Sequence, residues 1–477
     1  MSEDNNLNIL FASAECLPFC ANGGVADMCY ALSKYLSRYP NLDVRVVLPY
    51  YSQIPESYKS KFKLVGERTI ELSWRQEYCG IFEFEKDNIT YYFIDNKRYF
   101  DREKLFGYDD DVERFSFFSK AVLDMFPIIS FYPDIIHTHD WQSSMVCTFL
   151  KILEWHNPKY EHIETVLNIH NLIYQGKNNF GIVKDLLGVE DKFSYLFDFY
   201  GEANIMKASI LCADRIVAVS KNYKEEILNT NKGFGLQNVL EQCKHKLSGI
   251  TNGIDYEFYN PATDPTIYQT FDENSLELRV QNKLKLQEEL GLAINKDIPL
   301  YSFVGFMAEH KGFDLLSQIL DDVISKGAQF VAVGTVSGEY ENFVRSLNEK
   351  YPENVKISIG YDGHLAKKIY AGSDFLLNPA SIEPCGLCPL IANRYGSLPI
   401  CYETGGIKDN IIDFKQADGN GYLFNDYDKN TLLDLINRTL HDFENKDKMK
   451  EYILSGMSKK FDIKDCADKY LELYEDM

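Results

Sequence analysis

The sequence lacks any apolar run long enough to cross a lipid bilayer. A spanning helix needs about 20 consecutive apolar residues, and no stretch of the 477 residues approaches that length. The amino-terminal segment Met1-Ser2-Glu3-Asp4 is acidic, and the apolar run after it is too short for a signal peptide. The 11 cysteines have no even spacing, which indicates reduced thiols rather than a disulfide framework. We therefore predict a cytoplasmic protein, or one of a plastid-like compartment if the source is eukaryotic.

Positive charge is also scarce. Lys and Arg total 50 against 71 Asp and Glu, which gives a net charge of −21. Nucleic acids and anionic membranes bind basic surfaces, so this balance argues against both as partners. A neutral polysaccharide needs no basic surface and remains compatible with the composition.

The two commonest nucleotide-binding signatures, GxGxxG and GxxxxGK[ST], do not occur. Instead, the strand-like apolar run from Leu7 to Ala12 leads into the turn Ala21-Asn22-Gly23-Gly24, and a helical pattern follows from Val25 to Leu36. Adjacent glycines let the backbone approach a phosphate closely, and the first N–H groups of a helix favour an anion. A glycine pair alone is equally typical of an ordinary turn.

A second turn of this kind lies in the other half of the chain. The segment Ser381-Ile382-Glu383-Pro384-Cys385-Gly386-Leu387 separates an apolar strand, Asp374 to Leu377, from a helical pattern, Leu387 to Tyr395. Open α/β sheets bind ligands at such turns, and a carboxylate can accept a hydrogen bond from a sugar hydroxyl. Because Glu near a helix start is also ordinary capping, the local pattern leaves both interpretations open.

Strand patterns alternate with helical patterns twice along the chain, which predicts an α/β fold with two parallel sheets. A β-rich insert, Glu67 to Asn96, is typical of a hairpin or meander, and a linker is expected at Tyr259 to Asp272. The strands of the first half are Leu7–Ala12, Val44–Leu48, Ile135–Thr138, Thr165–Ile169, Ile216–Ser220 and Ser248–Thr251. Those of the second half are Leu300–Val304, Phe330–Val333, Val355–Ile359, Phe375–Leu377 and Leu398–Tyr402.

A series of short motifs in fixed order carries a family resemblance. They are Gly23-Gly24-Val25-Ala26-Asp27, His139-Asp140-Trp141, His170-Asn171-Leu172-Ile173-Tyr174-Gln175-Gly176, Asn252-Gly253-Ile254-Asp255, His310-Lys311-Gly312, Glu383-Pro384-Cys385-Gly386-Leu387 and Thr404-Gly405-Gly406. Over nearly its whole length the chain resembles the bacterial glycogen synthases and plant starch synthases. The motifs that begin at His170 and Glu383 are specific to that family, whereas the glycine pairs and Lys-Gly are shared with many nucleotide-sugar transferases.

The resemblance implies a GT-B architecture, in which two Rossmann-like domains face each other across a cleft. It implies an acceptor-side catalytic domain at residues 1–260 and a nucleotide-sugar-binding domain at residues 261–460. Residues 461–477 would form a carboxy-terminal helix that returns to the first domain.

The resemblance also implies the reaction. Glucose would pass from ADP-glucose, or from another nucleotide-glucose, to the non-reducing end of an α-1,4-glucan with retention of configuration. We expect no cofactor and no metal. His137 and His139 alternate along one strand and would face the same side, but two ligands are too few for a metal centre.

Site residues follow from the matched motifs. The catalytic residues would be His170, Asp140 and Glu383, with His170 beside the anomeric carbon, Asp140 on acceptor hydroxyls and Glu383 on a glucose hydroxyl. The donor would be bound by Gly23, Gly24, Asp27, Asn252, Lys311, Tyr361, Cys385, Gly386, Leu387, Thr404, Gly405 and Gly406.

The chain departs from the family pattern at several of these motifs. Ala21 stands where the family has Lys, Phe306 where it has Arg, Gln142 where it has His, and Cys388-Pro389 where it has Thr-Gln. Two of the usual cations around the diphosphate are therefore missing, and Lys177, Lys221 or Arg394 could replace them. The alternatives are a catalytically weakened or inactive relative that binds glucan or regulates a partner, and a transferase with an altered donor or acceptor.

Overall fold

The computed structural model describes residues 6–154 and 157–477. The chain folds into two compact units. Unit 1 contains the described residues up to Thr251 together with Ile463–Met477, and unit 2 contains Asn252–Asp462. Each unit is an α/β structure built on one main sheet, which is mostly parallel in unit 1 and parallel in unit 2, so the predicted α/β fold with two Rossmann-like domains is confirmed.

The division between the units falls at Thr251 and Asn252, ahead of the predicted linker. The sequence places residues 252–260 in the first domain, whereas the structure has them in unit 2. There the carbonyl oxygen of Phe258 accepts a hydrogen bond of 2.8 Å from Lys367 Nζ. The roles assigned to the two domains remain predictions.

The strands in the described part of unit 1 include one close to each predicted apolar run of the first half. They are β1 (Leu7–Ala12), β2 (Leu42–Pro49), β3 (Lys63–Leu72), β4 (Arg75–Lys86), β5 (Ile89–Asp95), β6 (Ile135–His139), β7 (Glu164–Ile169), β8 (Lys177–Asn179), β9 (Asp198–Phe199), β10 (Glu202–Asn204), β11 (Arg215–Ala218) and β12 (Leu247–Gly249). The predicted meander is confirmed as β3, β4 and β5, which pair antiparallel.

The main sheet of unit 1 has nine strands in the order β12-β11-β7-β6-β1-β2-β5-β4-β3. Its centre is parallel, with Ile9 of β1 opposite Val44 of β2 and Ile135 of β6. From β1 the chain proceeds outward through β2 and later returns to the other side of β1 with β6. The strand order therefore reverses between β1 and β6. The carboxyl ends of these two strands form a topological switch point, which is where α/β sheets bind ligands.

Helices cover the parallel sheet of unit 1 and bury its apolar strands. In chain order they are α1 (Gly24–Leu36), α2 (Glu56–Lys59), α3 (Lys97–Phe100), α4 (Asp111–Asp124), α5 (Phe126–Ile129), α6 (Asp140–Ile152), α7 (Ile182–Asp185), α8 (Ile205–Cys212), α9 (Lys221–Asn229) and α10 (Gln237–Gln242).

Unit 2 repeats this plan around a six-stranded parallel sheet. Its strands are β13 (Leu300–Val304), β14 (Gln329–Gly334), β15 (Val355–Ile359), β16 (Phe375–Asn378), β17 (Leu398–Tyr402) and β18 (Tyr422–Phe424). Its helices are α11 (Val280–Leu290), α12 (Phe313–Ser325), α13 (Glu341–Lys350), α14 (Gly363–Gly372), α15 (Leu387–Arg394), α16 (Ile407–Asn410), α17 (Lys429–Glu444) and α18 (Lys446–Ser458).

The strand order in unit 2 is β15-β14-β13-β16-β17-β18, so its switch point lies between β13 and β16. Apolar side chains of these strands and of α12 and α17 form one continuous core. The loops that follow β13, β16 and β17 carry most of the donor-binding residues predicted in unit 2.

The last helix, α19 (Ile463–Glu475), belongs to unit 1. Tyr39 donates a hydrogen bond of 2.9 Å to the Asp468 carboxylate, and Tyr470 donates one of 2.9 Å to the side-chain oxygen of Asn168 in β7. These contacts join α19 to the turn after α1 and to β7 of the unit 1 sheet. No helix in the described ranges is both long and apolar enough to cross a membrane.

Candidate active site

Two predicted residues meet at the switch point of unit 2. Lys311 follows β13, Glu383 follows β16, and Lys311 Nζ lies 2.9 Å from Glu383 Oε2. Both side chains are largely but not fully buried, with exposed fractions of 24% and 13%. A cation and a carboxylate are therefore held together at the position where the fold binds ligands.

The loop after β17 packs directly against the Glu383 turn. Gly406 N donates a hydrogen bond of 3.0 Å to the carbonyl oxygen of Glu383. Gly405 has a φ of 44°, and a Cβ there would lie 2.2 Å from that same oxygen. Glycine is required at 405 because of both the left-handed backbone and the close approach. Thr404 Oγ1 donates to the carbonyl oxygen of Ser381 at 3.3 Å, so two hydrogen bonds connect the two turns.

The other predicted donor residues of unit 2 lie around these turns. Gly386 is the N-cap of α15 with a φ of 86°, and Leu387 is its first residue. Cys385 is buried, with its thiol 3.9 Å from the carbonyl oxygen of Asn252, and the side-chain Oδ1 of Asn252 is buried without a hydrogen-bond partner in the described residues. Tyr361 follows β15, and 53% of its surface is exposed to solvent.

Phe306, which replaces the family's Arg, is half-buried in the loop after β13. Its ring lies 6.0 Å from the ring of His310 at an interplanar angle of 63°. Burial, and then the charge of Lys311, lowers the pKa of His310 to about 4, so this imidazole is neutral at pH 7. Neither Phe306 nor His310 thus supplies the missing positive charge.

Of the cations proposed as replacements, Arg394 is engaged elsewhere. It ends α15, the helix that Gly386 caps at the opposite end, and it pairs with Glu273 at 3.4 Å and Asn260 at 3.3 Å. Lys177 and Lys221 are exposed residues of unit 1, and Lys177 Nζ lies 4.8 Å from the centre of the Phe199 ring.

The glycine pair of unit 1 follows β1 and opens α1. A buried carboxylate, Glu15, holds this turn: its Oε2 accepts hydrogen bonds from Asn22 N and from Gly23 N, the latter at 3.1 Å. Gly23 itself has an extended backbone with φ −169°, and a Cβ there would meet nothing within 4 Å. The protein's own packing therefore does not require glycine at 23, which is the pattern expected where a ligand approaches the backbone.

Glu15 is an ionisable group that the sequence reasoning did not assign to the site. Burial is the main cause that raises its pKa to about 8, and Asp27 and Asp140 raise it further. Asp27 lies in the first turn of α1. In the sequence, the signal for this role was an acidic residue, Glu15, among apolar neighbours. Its role could not be inferred because the sequence does not show that the chain turns back and places the Asn22 and Gly23 N–H groups on this carboxylate.

Asp140 begins α6 directly after β6 and has a φ of 52°, which is unusual for a residue with a side chain. Its Oδ1 accepts hydrogen bonds from His170 N at 2.7 Å and from Asn171 N at 3.3 Å. Burial raises the pKa of Asp140 to about 7. The structure thus brings Asp140 and His170 together at the ends of adjacent strands.

His170 follows β7, is 9% exposed, and lies at the end of a row of buried imidazoles. His170 Nε2 lies 3.0 Å from His139 Nδ1, and the His139 ring stacks on that of His137 at 4.8 Å. Burial lowers the pKa of His170 to about 3, so it is neutral near pH 7. No group of three or more potential metal ligands occurs within residues 6–154 and 157–477.

Two family models match the chain in succession. Residues 8–242 match the starch synthase catalytic domain, and residues 287–455 match the glycosyl transferases of group 1. The first range lies within unit 1 and the second within unit 2.

Solved structures share the fold of this chain. The catalytic domain of starch synthase IV from Arabidopsis thaliana, bound to ADP and acarbose, is similar with a TM-score of 0.92 and 27% identity over 99% of both chains. Sucrose-phosphate synthase from Thermosynechococcus elongatus shares the fold, with a TM-score of 0.61 and 16% identity over 98% of both chains. The fold and the switch-point site of each unit define a glycosyltransferase of the GT-B class.

Proteins that are similar in sequence assign the chain to one family within this class. Glycogen synthase of Clostridium novyi is 40% identical over 476 residues, 99% of each chain. Glycogen synthase of Bacillus cereus is 41% identical over 475 residues, 99% of this chain and 100% of its own. The chain belongs to the glycogen synthase and starch synthase family. The predicted family, enzyme class and glycogen or starch synthase function are confirmed, and the non-catalytic alternative is not favoured.

Proposed function

We propose that the protein transfers glucose from ADP-glucose to the non-reducing end of an α-1,4-glucan with retention of configuration. The observation that supports this most strongly is the Lys311–Glu383 pair at the switch point of unit 2. A diphosphate needs a cation and a glucosyl group needs a hydrogen-bond acceptor, and this pair presents both within 2.9 Å. The ADP and acarbose bound to the Arabidopsis relative are a nucleotide and an oligosaccharide, as this reaction requires.

In this proposal unit 2 holds the donor. Lys311 stabilises the charge that develops on the leaving diphosphate, and Glu383 accepts a hydrogen bond from a glucose hydroxyl. The backbone N–H groups of the Thr404-Gly405-Gly406 and Glu383-to-Leu387 turns supply further donors to phosphate or sugar. Tyr361 stacks on the adenine through its exposed ring.

Unit 1 supplies the remaining catalytic groups. The open space beside Gly23 suits close approach of the donor to the backbone. His170 is neutral at pH 7 and acts as a hydrogen-bond partner of the sugar rather than as a cation. Asp140 has one carboxylate oxygen engaged by His170 N and Asn171 N, which leaves the other for an acceptor hydroxyl.

The substitutions at Ala21 and Phe306 bear on the strength of donor binding. Without two cations the diphosphate relies mainly on Lys311 and backbone donors. Hydrogen bonds to charged groups contribute about 1.5–3 kcal/mol each. We therefore expect weak donor affinity and slow turnover, not a different reaction.

The location of the protein in the cytoplasm also remains a prediction.

A transfer assay tests the proposal. Purified protein is incubated with glycogen and radiolabelled ADP-glucose or UDP-glucose, and label in precipitated glycogen is measured. We expect incorporation that prefers ADP-glucose and is lost in Lys311→Gln, which keeps a polar, hydrogen-bonding side chain but is shorter and carries no charge. Preference for UDP-glucose would contradict the donor assignment. No incorporation from either donor, with ADP bound in a separate titration, would contradict catalysis.

A further inference from the structure

We propose that His139 is a positioning residue, which fixes the ring orientation and the tautomer of His170 so that His170 Nδ1–H donates a hydrogen bond to the sugar. This inference rests on the proposed function of His170.

The contact arises from the register of adjacent strands. His139 ends β6, His170 follows β7, and β6 pairs with β7 so that His139 lies opposite Asn168. His139 Nδ1 and His170 Nε2 are 3.0 Å apart, a hydrogen-bond distance. Such a contact requires that one of these two nitrogens carries a proton and the other does not.

The His139 ring is held by aromatic neighbours. The His137 ring stacks on it at 4.8 Å with an interplanar angle of 9°, and the Phe11 ring lies 6.0 Å away at 21°. His139 is 1% exposed. A ring packed in this way cannot rotate to exchange one nitrogen for the other, so its hydrogen bond to His170 is fixed in direction.

The surroundings of His139 Nε2 decide which nitrogen carries the proton. This atom is buried and has no hydrogen-bond partner in the described part of the chain. If the proton were on Nε2, a buried N–H would be left without an acceptor, and orphaned buried N–H groups are rarer than orphaned acceptors. The proton of His139 therefore belongs on Nδ1, which donates to His170 Nε2.

The tautomer of His170 follows from that of His139. Burial lowers the pKa of both imidazoles, so each carries a single proton at neutral pH. Because His170 Nε2 accepts, the proton of His170 lies on Nδ1. The nitrogen left for a ligand is thus a donor, which suits a hydroxyl oxygen of the sugar.

His137 provides a matched control. It is as deeply buried as His139 and lies on the same face of β6, but its Nδ1 contacts the Tyr474 hydroxyl at 2.5 Å and not His170. Substituting His137 removes one of the two rings packed on His139 but leaves both atoms of the His139–His170 hydrogen bond in place.

The first test needs no substitution of His139 and no activity. The chain is labelled with ¹⁵N-histidine, and long-range ¹H–¹⁵N spectra identify the tautomer of each imidazole, with the His170 signals assigned by their loss in His170→Ala. We expect His170 protonated on Nδ1 and His139 protonated on Nδ1. A His170 protonated on Nε2 would overturn the proposal, whether or not the protein transfers glucose.

The second test links the tautomer to catalysis. His139→Leu should lower kcat by at least about fivefold, the loss expected for one hydrogen bond, and should change KM for ADP-glucose less. It should also convert His170 to a mixture of tautomers. His139→Asn restores an N–H near the position of Nδ1 and should recover most of the loss, and His137→Leu should leave the His170 tautomer unchanged.

Equal losses of kcat in His139→Leu and His137→Leu, with the His170 tautomer unchanged in both, would reduce His139 to a packing role and overturn the proposal. If His139→Leu fails to fold, His139→Asn and the wild-type spectra still decide it. Absence of transfer by the wild type would count against the proposed function, while the spectra would still test the tautomer.

Discussion

Glu383→Gln is expected to change donor binding and catalysis in opposite directions. The substitution keeps the side-chain shape and a hydrogen-bond acceptor for Lys311 Nζ, which lies 2.9 Å from Glu383 Oε2. It removes one negative charge from the site that must accommodate a diphosphate. It also weakens the acceptor that we assign to a glucose hydroxyl.

Coulomb's law gives the magnitude for a donor phosphate bound beside Glu383. A carboxylate about 6 Å from a phosphate charge repels it by up to about 3 kcal/mol at an effective dielectric constant of about 20. Because Lys311 and Glu383 are 24% and 13% exposed, solvent screening reduces the effect. We expect about 1 kcal/mol, or about fivefold tighter binding of ADP. Turnover should fall by at least about tenfold, because a contact to the transition state is lost.

Isothermal titration of ADP and steady-state transfer assays measure the two effects separately. Lys311→Gln is the matched control, and it should weaken ADP binding and lower turnover together. If Glu383→Gln weakens ADP binding as much as Lys311→Gln does, the carboxylate contributes to nucleotide binding and our division of roles is wrong. Full turnover in Glu383→Gln would remove Glu383 from the catalytic residues.

Three further predictions concern other parts of the two units. Phe306→Arg should tighten ADP binding by about tenfold or more, because a guanidinium can bind phosphate oxygens in a bidentate manner; unchanged affinity by calorimetry would show that the side chain at 306 does not reach the diphosphate. His170→Ala should lower kcat at least about tenfold with a smaller effect on the free energy of unfolding, and full activity would contradict its role. Burial raises the pKa of Glu15 from 4.5 to about 8, so the folded state retains a proton that the unfolded state loses, and stability falls as pH rises from about 4.5 to 8. Glu15→Gln should therefore gain at least about 1 kcal/mol over the wild type between pH 5 and pH 8 in urea denaturation, and a constant difference across that range would refute the raised pKa.

Much of the fold could be predicted from the sequence because its central strands are buried on both faces. Leu7–Ala12, Leu300–Val304 and Leu398–Tyr402 are each predicted with the bounds that the structure has, as is the edge strand Val355–Ile359. Parallel strands between two layers of helices are continuous apolar runs, so their ends are marked by the first polar residue or turn signal.

The elements that escape prediction are short or lie at an edge. Strand β18, Tyr422–Phe424, has three residues and pairs only with β17 in the described structure, and β8, β9 and β10 form a small separate sheet. Runs of two or three residues are too short to show the alternation of apolar and polar residues, or the apolar run, by which a strand is predicted from sequence. Strand β12 is predicted at Ser248–Thr251 and lies at Leu247–Gly249 for the same reason.

The site could be predicted as a set of motifs but not as an arrangement. Lys311 and Glu383 are 72 positions apart, and only the reversal of strand order between β13 and β16 brings them to 2.9 Å. The contact between His139 and His170 likewise depends on the register of β6 and β7. Sequence patterns describe one element at a time, and such contacts are decided by how elements pair.

The most direct test of the central claim is the linkage of the transferred glucose. The purified chain is incubated with glycogen and radiolabelled ADP-glucose, and the labelled polymer is digested with β-amylase, which releases maltose from non-reducing α-1,4-linked ends. We predict that the label enters glycogen and is released almost entirely as maltose. Label that stays in the undigested polymer, or no labelled polymer at a concentration of ADP-glucose that saturates binding, would contradict the assignment as an α-1,4-glucan synthase.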